Sequence, residues 1–232
     1  MELDEISNGS TISNISNIQN NSSFLFESEE SLYPPNIEEL EPEINNIITS
    51  ANLGNNLYLN NIALKLKNVD YNLNKSSNLT LKTKNCKIIA TIFSNGKMIC
   101  SGAKNEKESK ASCIKYAKII KKIENNIELK DLKIQNMVAS FDVKFKINLE
   151  KLFKEINTLI NNSKKFGNNY NYCKYNKNEF PGLVLYMNDS KINFVIYETG
   201  KVVLSGAKNR KEINDLFKNI YPLLIKSKKS FY

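Results

Sequence analysis

Histidine and tryptophan are both absent from the 232 residues of this chain. Without histidine, the chain lacks the most common general base and cannot complete a mixed Cys/His zinc site. The four cysteines include no C-x-x-C pair, so we expect free thiols in a reducing compartment and no metal or other cofactor. They are Cys86, Cys100, Cys113 and Cys173.

Long apolar runs are also absent. No stretch approaches the ~18 consecutive apolar residues of a membrane-spanning helix. The first residues, Met-Glu-Leu-Asp-Glu, are acidic and lack the apolar core of a secretory signal. The sequence therefore predicts a soluble intracellular protein that does not contact a membrane.

Basic residues are missing from the first quarter of the chain, where no Lys or Arg precedes Lys65. Ten of the 24 acidic residues lie between Glu2 and Glu43, so the remainder carries all 33 basic residues against 14 acidic ones. The strongly basic charge of residues 44–232 indicates a polyanionic partner, although a lysine-rich surface that only keeps the protein soluble explains the charge equally well. Residues 1–43, rich in Ser, Asn and Glu, are predicted to form a disordered tail.

From residue 44 the chain repeats itself. The string Ile92-Phe-Ser-Asn-Gly-Lys-Met-Ile-Cys-Ser-Gly-Ala-Lys-Asn105 returns as Ile196-Tyr-Glu-Thr-Gly-Lys-Val-Val-Leu-Ser-Gly-Ala-Lys-Asn209, and each half begins with a shorter pair, Asn46-Ile-Ile and Asn136-Met-Val. The two offsets, 90 and 104 residues, require an insertion in the second half, which we place around 161–177. Two copies predict a pseudo-twofold domain with repeats at 44–130 and 131–232.

Each half combines strand and helix patterns. Apolar and β-branched residues alternate as in half-exposed strands, with Gly96 and Gly200 at hairpin turns. Apolar residues then recur at helical spacing after each Gly-Ala-Lys. We therefore predict an α+β fold in which helices cover one face of an antiparallel sheet and leave the other face for function. The helical positions are Ala111, Ile114, Ala117 and Ile120, then Ile213, Leu216, Ile220 and Leu224.

The free face is predicted to carry amides, aliphatic side chains, small hydroxyls and aromatic rings at matching points of the two halves, because residues two apart on a strand share a face. This surface suits a DNA minor groove, where A·T pairs present only acceptors. Core aromatic rings and capping amides are the plainer interpretation of single residues. The candidates are Asn46, Ile48, Thr91, Phe93, Ile99, Ser101, Asn136, Val138, Phe180, Val195, Tyr197, Val203 and Ser205.

Basic side chains flank the same segments, and they are candidates for phosphate contacts. Taken singly, each of them is also explained as a solvated surface residue. The candidates are Lys75, Lys82, Lys84, Lys87, Lys97, Lys104, Lys201, Lys208 and Arg210.

Over residues 44–228 the chain resembles the TATA-box-binding protein family. The matching strings include Asn68-Val-Asp-Tyr-Asn72, Phe180-Pro-Gly-Leu and both copies of Ser-Gly-Ala-Lys. The resemblance implies a saddle with helices on its convex side and a curved sheet that lies on the minor groove and inserts two aromatic pairs between base steps. Phe93 and Phe180 match wedge positions, and Asn46 and Asn136 match central amides that contact base edges. It also implies a nuclear protein that binds A·T-rich double-stranded DNA and works with transcription factors IIA and IIB and other initiation factors.

Several positions depart from the family pattern. Ser76 stands where the first half has a second wedge phenylalanine, so either Leu79 substitutes for it or the DNA is bent less at that end. Tyr197 replaces another wedge phenylalanine, and Tyr186 replaces an arginine. Residues 176–179 replace an acidic, proline-containing loop that receives transcription factor IIB in the family.

The function expected from these patterns is that of a general transcription factor that binds TATA-like core promoters, bends the DNA and nucleates the initiation complex. The alternative is a related factor with weakened TATA preference that acts mainly through protein partners, which Ser76 favours. A DNA-repair glycosylase on a similar fold is disfavoured, because the chain has no histidine and no carboxylate on the free face, and we expect no catalytic residue. The repeated amides and flanking lysines argue against a platform that binds proteins alone.

Overall fold

The computed structural model describes residues 40–72, 77–84, 86–166, 170–187 and 191–230. Most of the predicted tail, Lys75, Ser76 and residues 167–169 of the predicted insertion lie outside these ranges. Within them, ten strands form one sheet and four helices accompany it. The elements in chain order are β1 Glu43–Asn52, α1 Leu59–Lys65, β2 Val69–Asp70, β3 Asn78–Lys82, β4 Ile89–Phe93, β5 Lys97–Ala103, α2 Glu106–Lys121, β6 Lys130–Asp142, α3 Leu149–Phe166, β7 Tyr170–Lys174, β8 Gly182–Met187, β9 Asn193–Tyr197, β10 Lys201–Ala207 and α4 Arg210–Lys226.

The strand order is β2-β3-β4-β5-β1-β6-β10-β9-β8-β7, with every neighbouring pair antiparallel. Strands β1 and β6 lie at the centre, and the two halves continue outward in the same sequence of elements. Corresponding pairs keep the same register, since Asn78 pairs with Phe93 and Gly182 pairs with Tyr197. The predicted pseudo-twofold α+β architecture is confirmed.

Buried and half-exposed residues alternate along the strands, so the sheet has a core face and a free face. Strands β4 and β9 share one burial pattern, and β5 and β10 share another. On β1, Ile47 and Thr49 are fully buried on the side covered by helix α2, whereas Asn46 and Ile48 remain half-exposed. Each fully buried aliphatic side chain of this kind contributes about 1.5–3 kcal/mol of transfer free energy.

Helices α2 and α4 begin in the same way. The side chain of Asn105 accepts a hydrogen bond from the backbone N–H of Glu108 at 2.8 Å, and that of Asn209 accepts one from Glu212 at 2.9 Å. These caps satisfy backbone donors that the first helical turn leaves without partners. The apolar spacing placed Ile114 on the buried face of α2, but its side chain is exposed, because Cys113, Tyr116 and their neighbours form that face.

The second half is longer chiefly in its first helix and the chain that follows. Helix α3 has 18 residues, whereas its first-half counterpart α1 has 7. Helix α3 packs on β7, the edge strand of the second half. No helix among the described residues is long and apolar enough to cross a membrane.

Candidate nucleic-acid interface

The sheet face opposite the helices brings the predicted free-face residues together. At its centre, Asn46 of β1 pairs with Val138 of β6, and Ile48 of β1 pairs with Asn136 of β6. Each half therefore places an amide opposite an aliphatic side chain of the other half. The remaining candidates on the strands continue this half-exposed face outward on both sides. They are Thr91, Phe93, Ile99, Ser101, Val195, Tyr197, Val203 and Ser205.

The two central amides are held by a β-bulge in the neighbouring strand. The N–H of Gly102 donates to Oδ1 of Asn46 at 2.8 Å, and the N–H of Gly206 donates to Oδ1 of Asn136 at 2.7 Å. Because a backbone N–H can only donate, its partner in each side chain is the amide oxygen, and the Nδ2 group is left as a donor. Among the described residues, no other partner engages either Nδ2 group.

The bulges depend on glycine. Gly102 has φ +112° and Gly206 has φ +104°, in the left-handed region that side chains rarely adopt. A Cβ atom at Gly206 would lie 2.3 Å from the backbone oxygen of Lys191, and one at Gly102 would lie 2.9 Å from that of Lys87. The shared Ser-Gly-Ala-Lys string therefore encodes the backbone geometry that orients both amides.

Two aromatic rings lie together at the outer end of the second half. The ring centroids of Phe180 and Tyr197 are 6.1 Å apart, and Phe180 is 40% exposed. Phe180 lies over Gly182, where an added Cβ would approach Cε1 of the ring to 2.8 Å. In the first half, Phe93 occupies the position of Tyr197, but its strand partner is Asn78 rather than a glycine.

The basic candidates lie around this face. Lys97 and Lys201 begin β5 and β10 on the same face as the half-exposed residues, and Lys82 ends β3. Lys84 and Lys87 lie in the β3–β4 loop, and Lys208 follows β10. All six are exposed, and Lys75 lies outside the described residues.

Two of the basic candidates are already paired with carboxylates. Lys104 forms an ion pair with Glu43 at 3.2 Å, and Arg210, the first residue of α4, forms one with Glu41. Exposed pairs of this kind contribute little stability, so a phosphate can displace the carboxylate at low cost.

Three of the four thiols, those of Cys100, Cys113 and Cys173, are buried in the core, and Cys86 is half-exposed. Burial raises the pKa of the Cys173 thiol to about 12. Hydrogen bonding to Cys113, together with burial, raises the pKa of Cys100. Within the described ranges, no group of three or more His, Cys, Asp or Glu side chains is placed to hold a metal ion.

The sequence profile described as "Transcription factor TFIID (or TATA-binding protein, TBP)" matches residues 41–123 and 131–227. The chain belongs to the TATA-binding protein family. The TATA-box-binding protein of Acanthamoeba castellanii is 42% identical over 189 residues, which cover 82% of this chain and 68% of that relative. The TATA-box-binding protein of Acetabularia peniculus is 38% identical over 199 residues, 86% of this chain and 96% of that relative.

A solved structure shows the same fold. The chain is similar to Methanococcus jannaschii TBP with a TM-score of 0.63 at 28% identity, over 80% of this chain and 99% of that one. The predicted saddle, with its curved sheet and helices on the convex side, is therefore confirmed as the fold of this TATA-binding protein family member.

Of the two alternatives for the missing first-half wedge, the one in which Leu79 substitutes for it is wrong. Leu79 pairs with Ile92 and is fully buried on the helix side of β3. Alternation along the strand instead places Asn78 on the free face, opposite Phe93. Ser76, two residues earlier, lies outside the described residues.

The sequence interpretation missed Asn193, which lies on the free face of β9 two residues before Val195. The hydroxyl of Ser205 donates a hydrogen bond to Oδ1 of Asn193 at 2.9 Å. Asn193 precedes the string shared by the two TATA-binding protein repeats, so the repeat comparison did not reach it. Extending the alternation of Val195 and Tyr197 back by one step would have found it.

Proposed function

We propose that this chain is a general transcription factor that binds the minor groove of A·T-rich core promoters, bends the DNA and nucleates the initiation complex in the nucleus. The observation that carries the proposal is the pair of amides, Asn46 and Asn136, each fixed by a bulge at the centre of the free face. The matching relatives named as TATA-box-binding proteins support the same function.

The fixed amides explain a preference for A·T pairs. Each amide, with its Nδ2 donor, lies beside an aliphatic neighbour on the next strand, Val138 next to Asn46 and Ile48 next to Asn136. The minor groove of A·T pairs offers the adenine N3 and thymine O2 acceptors along a smooth floor, whereas a G·C pair adds an amino donor. Amide donors set among aliphatic groups match the floor of A·T pairs. Opposite a G·C pair, they leave the guanine amino group without an acceptor.

The aromatic residues at the ends of the face would bend the DNA. Phe180 and Tyr197 form a pair that can enter a base step, and Phe93 lies at the opposite end. For minor-groove proteins of this kind, this family among them, unstacking costs a few kcal/mol per step and is offset by the larger surface that bent DNA contacts. Pyrimidine–purine steps such as TA lower that cost.

The helix side remains available to proteins when the free face holds DNA. We propose that transcription factors IIA and IIB and other initiation factors bind the convex side and the loops. The loop before Phe180 contains an ion pair, Lys174 with Glu179 at 3.0 Å. This loop is the site at which an altered contact with transcription factor IIB is expected.

Binding and bending are tested together with a doubly labelled TATAAA duplex and a scrambled G·C-rich duplex across a salt series. We expect TATA-selective binding with a shorter end-to-end distance in the complex. Salt-sensitive binding without preference or bending would contradict the proposal.

The role of the amides is tested by Asn136→Asp. The carboxylate still accepts the Gly206 N–H but replaces the donor with an acceptor, so TATAAA affinity should fall at least about tenfold. Asn46→Asp is the matched change in the first half, and Asn162→Asp, at an exposed position of helix α3, is the charge control. Equal affinity of Asn136→Asp and Asn162→Asp would refute the assigned role.

A second candidate function is a related factor with weakened TATA preference that acts mainly through protein partners. Asn78 favours it, because the first half presents a polar side chain where the second half has Gly182 beneath a ring. Bending at only one end of the site, with reduced discrimination between TATAAA and the G·C-rich duplex, would support this candidate over the first.

A further inference from the structure

The two halves of the free face differ in one row of side chains that crosses three strands. In the second half, Tyr186 pairs with Asn193 and Asn193 pairs with Ser205. We call these three residues the second-half row. The residues at the same register in the first half form the first-half row, Lys82, Ile89 and Ser101.

The inner position of both rows is serine, and the rows differ at the outer position, Lys82 against Tyr186, and at the middle position, Ile89 against Asn193. Ile89 is aliphatic, whereas Asn193 is an amide that accepts a hydrogen bond from the Ser205 hydroxyl at 2.9 Å. That bond uses one lone pair of Oδ1, and a carbonyl oxygen has two. Among the described residues, nothing else engages Oδ1 or Nδ2 of Asn193.

Asn193 and the central amide Asn136 line one recess of about 700 Å³ at the Gly206 bulge. Oδ1 of Asn136 accepts the Gly206 N–H, and its Nδ2 group is the donor that Asn136 offers there. Asn193 offers an acceptor as well as a donor in the same recess. The second half thus has an acceptor on its face at a position where the first half has the side chain of Ile89.

We propose that Asn193 is a specificity-determining residue that lets the second half accept a G·C pair which the first half excludes. The guanine amino group, the only donor on the minor-groove floor, would donate to Oδ1 of Asn193. Under the first half, the same amino group would lose water against the Ile89 side chain, which offers no acceptor. This inference rests on the proposed minor-groove function, and its consequence is a fixed orientation of the protein on sites that contain one G·C pair.

Orientation is measured on a self-complementary TATATATA duplex with symmetric flanks, which favours neither orientation. A donor dye on Cys86, the half-buried thiol of the first half, and an acceptor dye at one DNA end report which half lies nearer that end. One base pair at a time, in one half of the site, is replaced by G·C or by inosine·C. Inosine lacks only the amino group, so the difference between the two substitutions isolates it.

At positions under the rows, we expect G·C to shift the orientation ratio about tenfold towards the second half, and inosine·C to shift it little. Asn193→Ile should abolish the shift. Ile89→Asn, which places an amide beside Ser101, should also abolish it because both halves then accept the amino group. The double exchange Asn193→Ile with Ile89→Asn should reverse the direction of the shift.

The outcomes separate this inference from the function on which it rests. If the wild-type protein binds and bends TATATATA but G·C and inosine·C give the same orientation ratio at every position, the inference is overturned and the proposed function stands. If the wild-type protein neither binds nor bends TATATATA, both are overturned. A wild-type shift that persists in Asn193→Ile would also overturn the assignment, since another group must then accept the amino donor.

Discussion

At the residue scale, the free face depends on a few side chains whose orientation is set by backbone atoms. Asn46 and Asn136 would be ambiguous amides on an open sheet, because either end can turn outward. The N–H groups of Gly102 and Gly206 remove that ambiguity by binding the oxygen. A donor held in place before binding needs no reorganisation when an acceptor arrives, which favours affinity.

Gly206→Ala tests the bulge. The new side chain would require a left-handed residue and would meet the Lys191 oxygen at 2.3 Å, so the free energy of unfolding should fall by roughly 3 kcal/mol or more. Gly54→Ala is the control, since it has φ +87° but its Cβ meets its nearest atom only at 3.4 Å, and about 1 kcal/mol is expected. Urea unfolding of the full chain measures both, and equal losses would show that the close approach is unimportant.

At the element scale, strands β3 and β8, each one strand in from an edge of the sheet, are equivalent in register but differ in the side chains they carry on the free face. Gly182 on β8 leaves space for the ring of Phe180, while Asn78 on β3 occupies the same position with a side chain. A first-half ring packed as Phe180 is packed over Gly182 would therefore need the place of the Asn78 side chain.

Ser76→Phe combined with Asn78→Gly should restore the first-half wedge. We expect the double variant to bend TATAAA more than the wild-type protein, because a second aromatic pair can then unstack a base step. Ser76→Phe alone should give a smaller increase, and Asn78→Gly alone should give none. End-to-end distances in the doubly labelled duplex measure the bend. A full increase from Ser76→Phe alone would show that Asn78 does not obstruct the ring.

The packing of α2 on the sheet determines which thiols react. Cys100 on β5 and Cys113 on α2 are fully buried, Cys173 on β7 is buried, and Cys86 is half-exposed. At about pH 8 we expect one fast-reacting thiol, Cys86, because thiolate character and access both control the reaction. Burial raises the pKa of Cys173 to about 12, so its thiolate fraction stays small even when the solution is made moderately alkaline.

A disulfide-exchange reagent with mass-spectrometric mapping measures this reactivity. The Cys86→Ser variant should lose the fast phase entirely, and unfolding in urea should expose the other three thiols. A second fast thiol in the folded wild-type protein would contradict the packing of the core.

At the scale of the whole molecule, lysine side chains lie both at the free face of the sheet and on the helix side. Lys97 and Lys201 lie at matching edges of the free face, whereas Lys118 lies on the outer side of α2. Phosphate contacts release counterions, so their number appears in the salt dependence of DNA affinity.

Lys97→Ala and Lys201→Ala should each reduce the slope of log affinity against log salt by about 0.9, with weaker binding to every sequence. Lys118→Ala, which removes the same charge from the helix side, should leave the slope unchanged. Titrations of labelled TATAAA duplex at several salt concentrations give the three slopes. An equal decrease for all three variants would mean that net charge, and not position, governs binding.

The sequence alone determined the α+β class, the two repeats and their hairpins, since these follow from local periodicity and from glycine positions that recur at a fixed offset. Gly96 and Gly200, for example, have positive φ in their turns as the shared string requires. The same alternation identified most of the free face, including Asn46 and Asn136. These features are local, so residues near in sequence are sufficient to predict them.

The tertiary structure decided what depends on neighbours from distant strands. It placed Leu79 in the core and Asn78 on the free face, because packing of the assembled sheet decides which face of β3 is buried. It fixed the oxygen of Asn136 on Gly206, which is 70 residues away in sequence. It also brought Asn193 beside Ser205 in a hydrogen bond, where the first half has Ile89 beside Ser101. Hydrogen-bond orientation and burial are properties of the assembled sheet, and no single segment contains both partners.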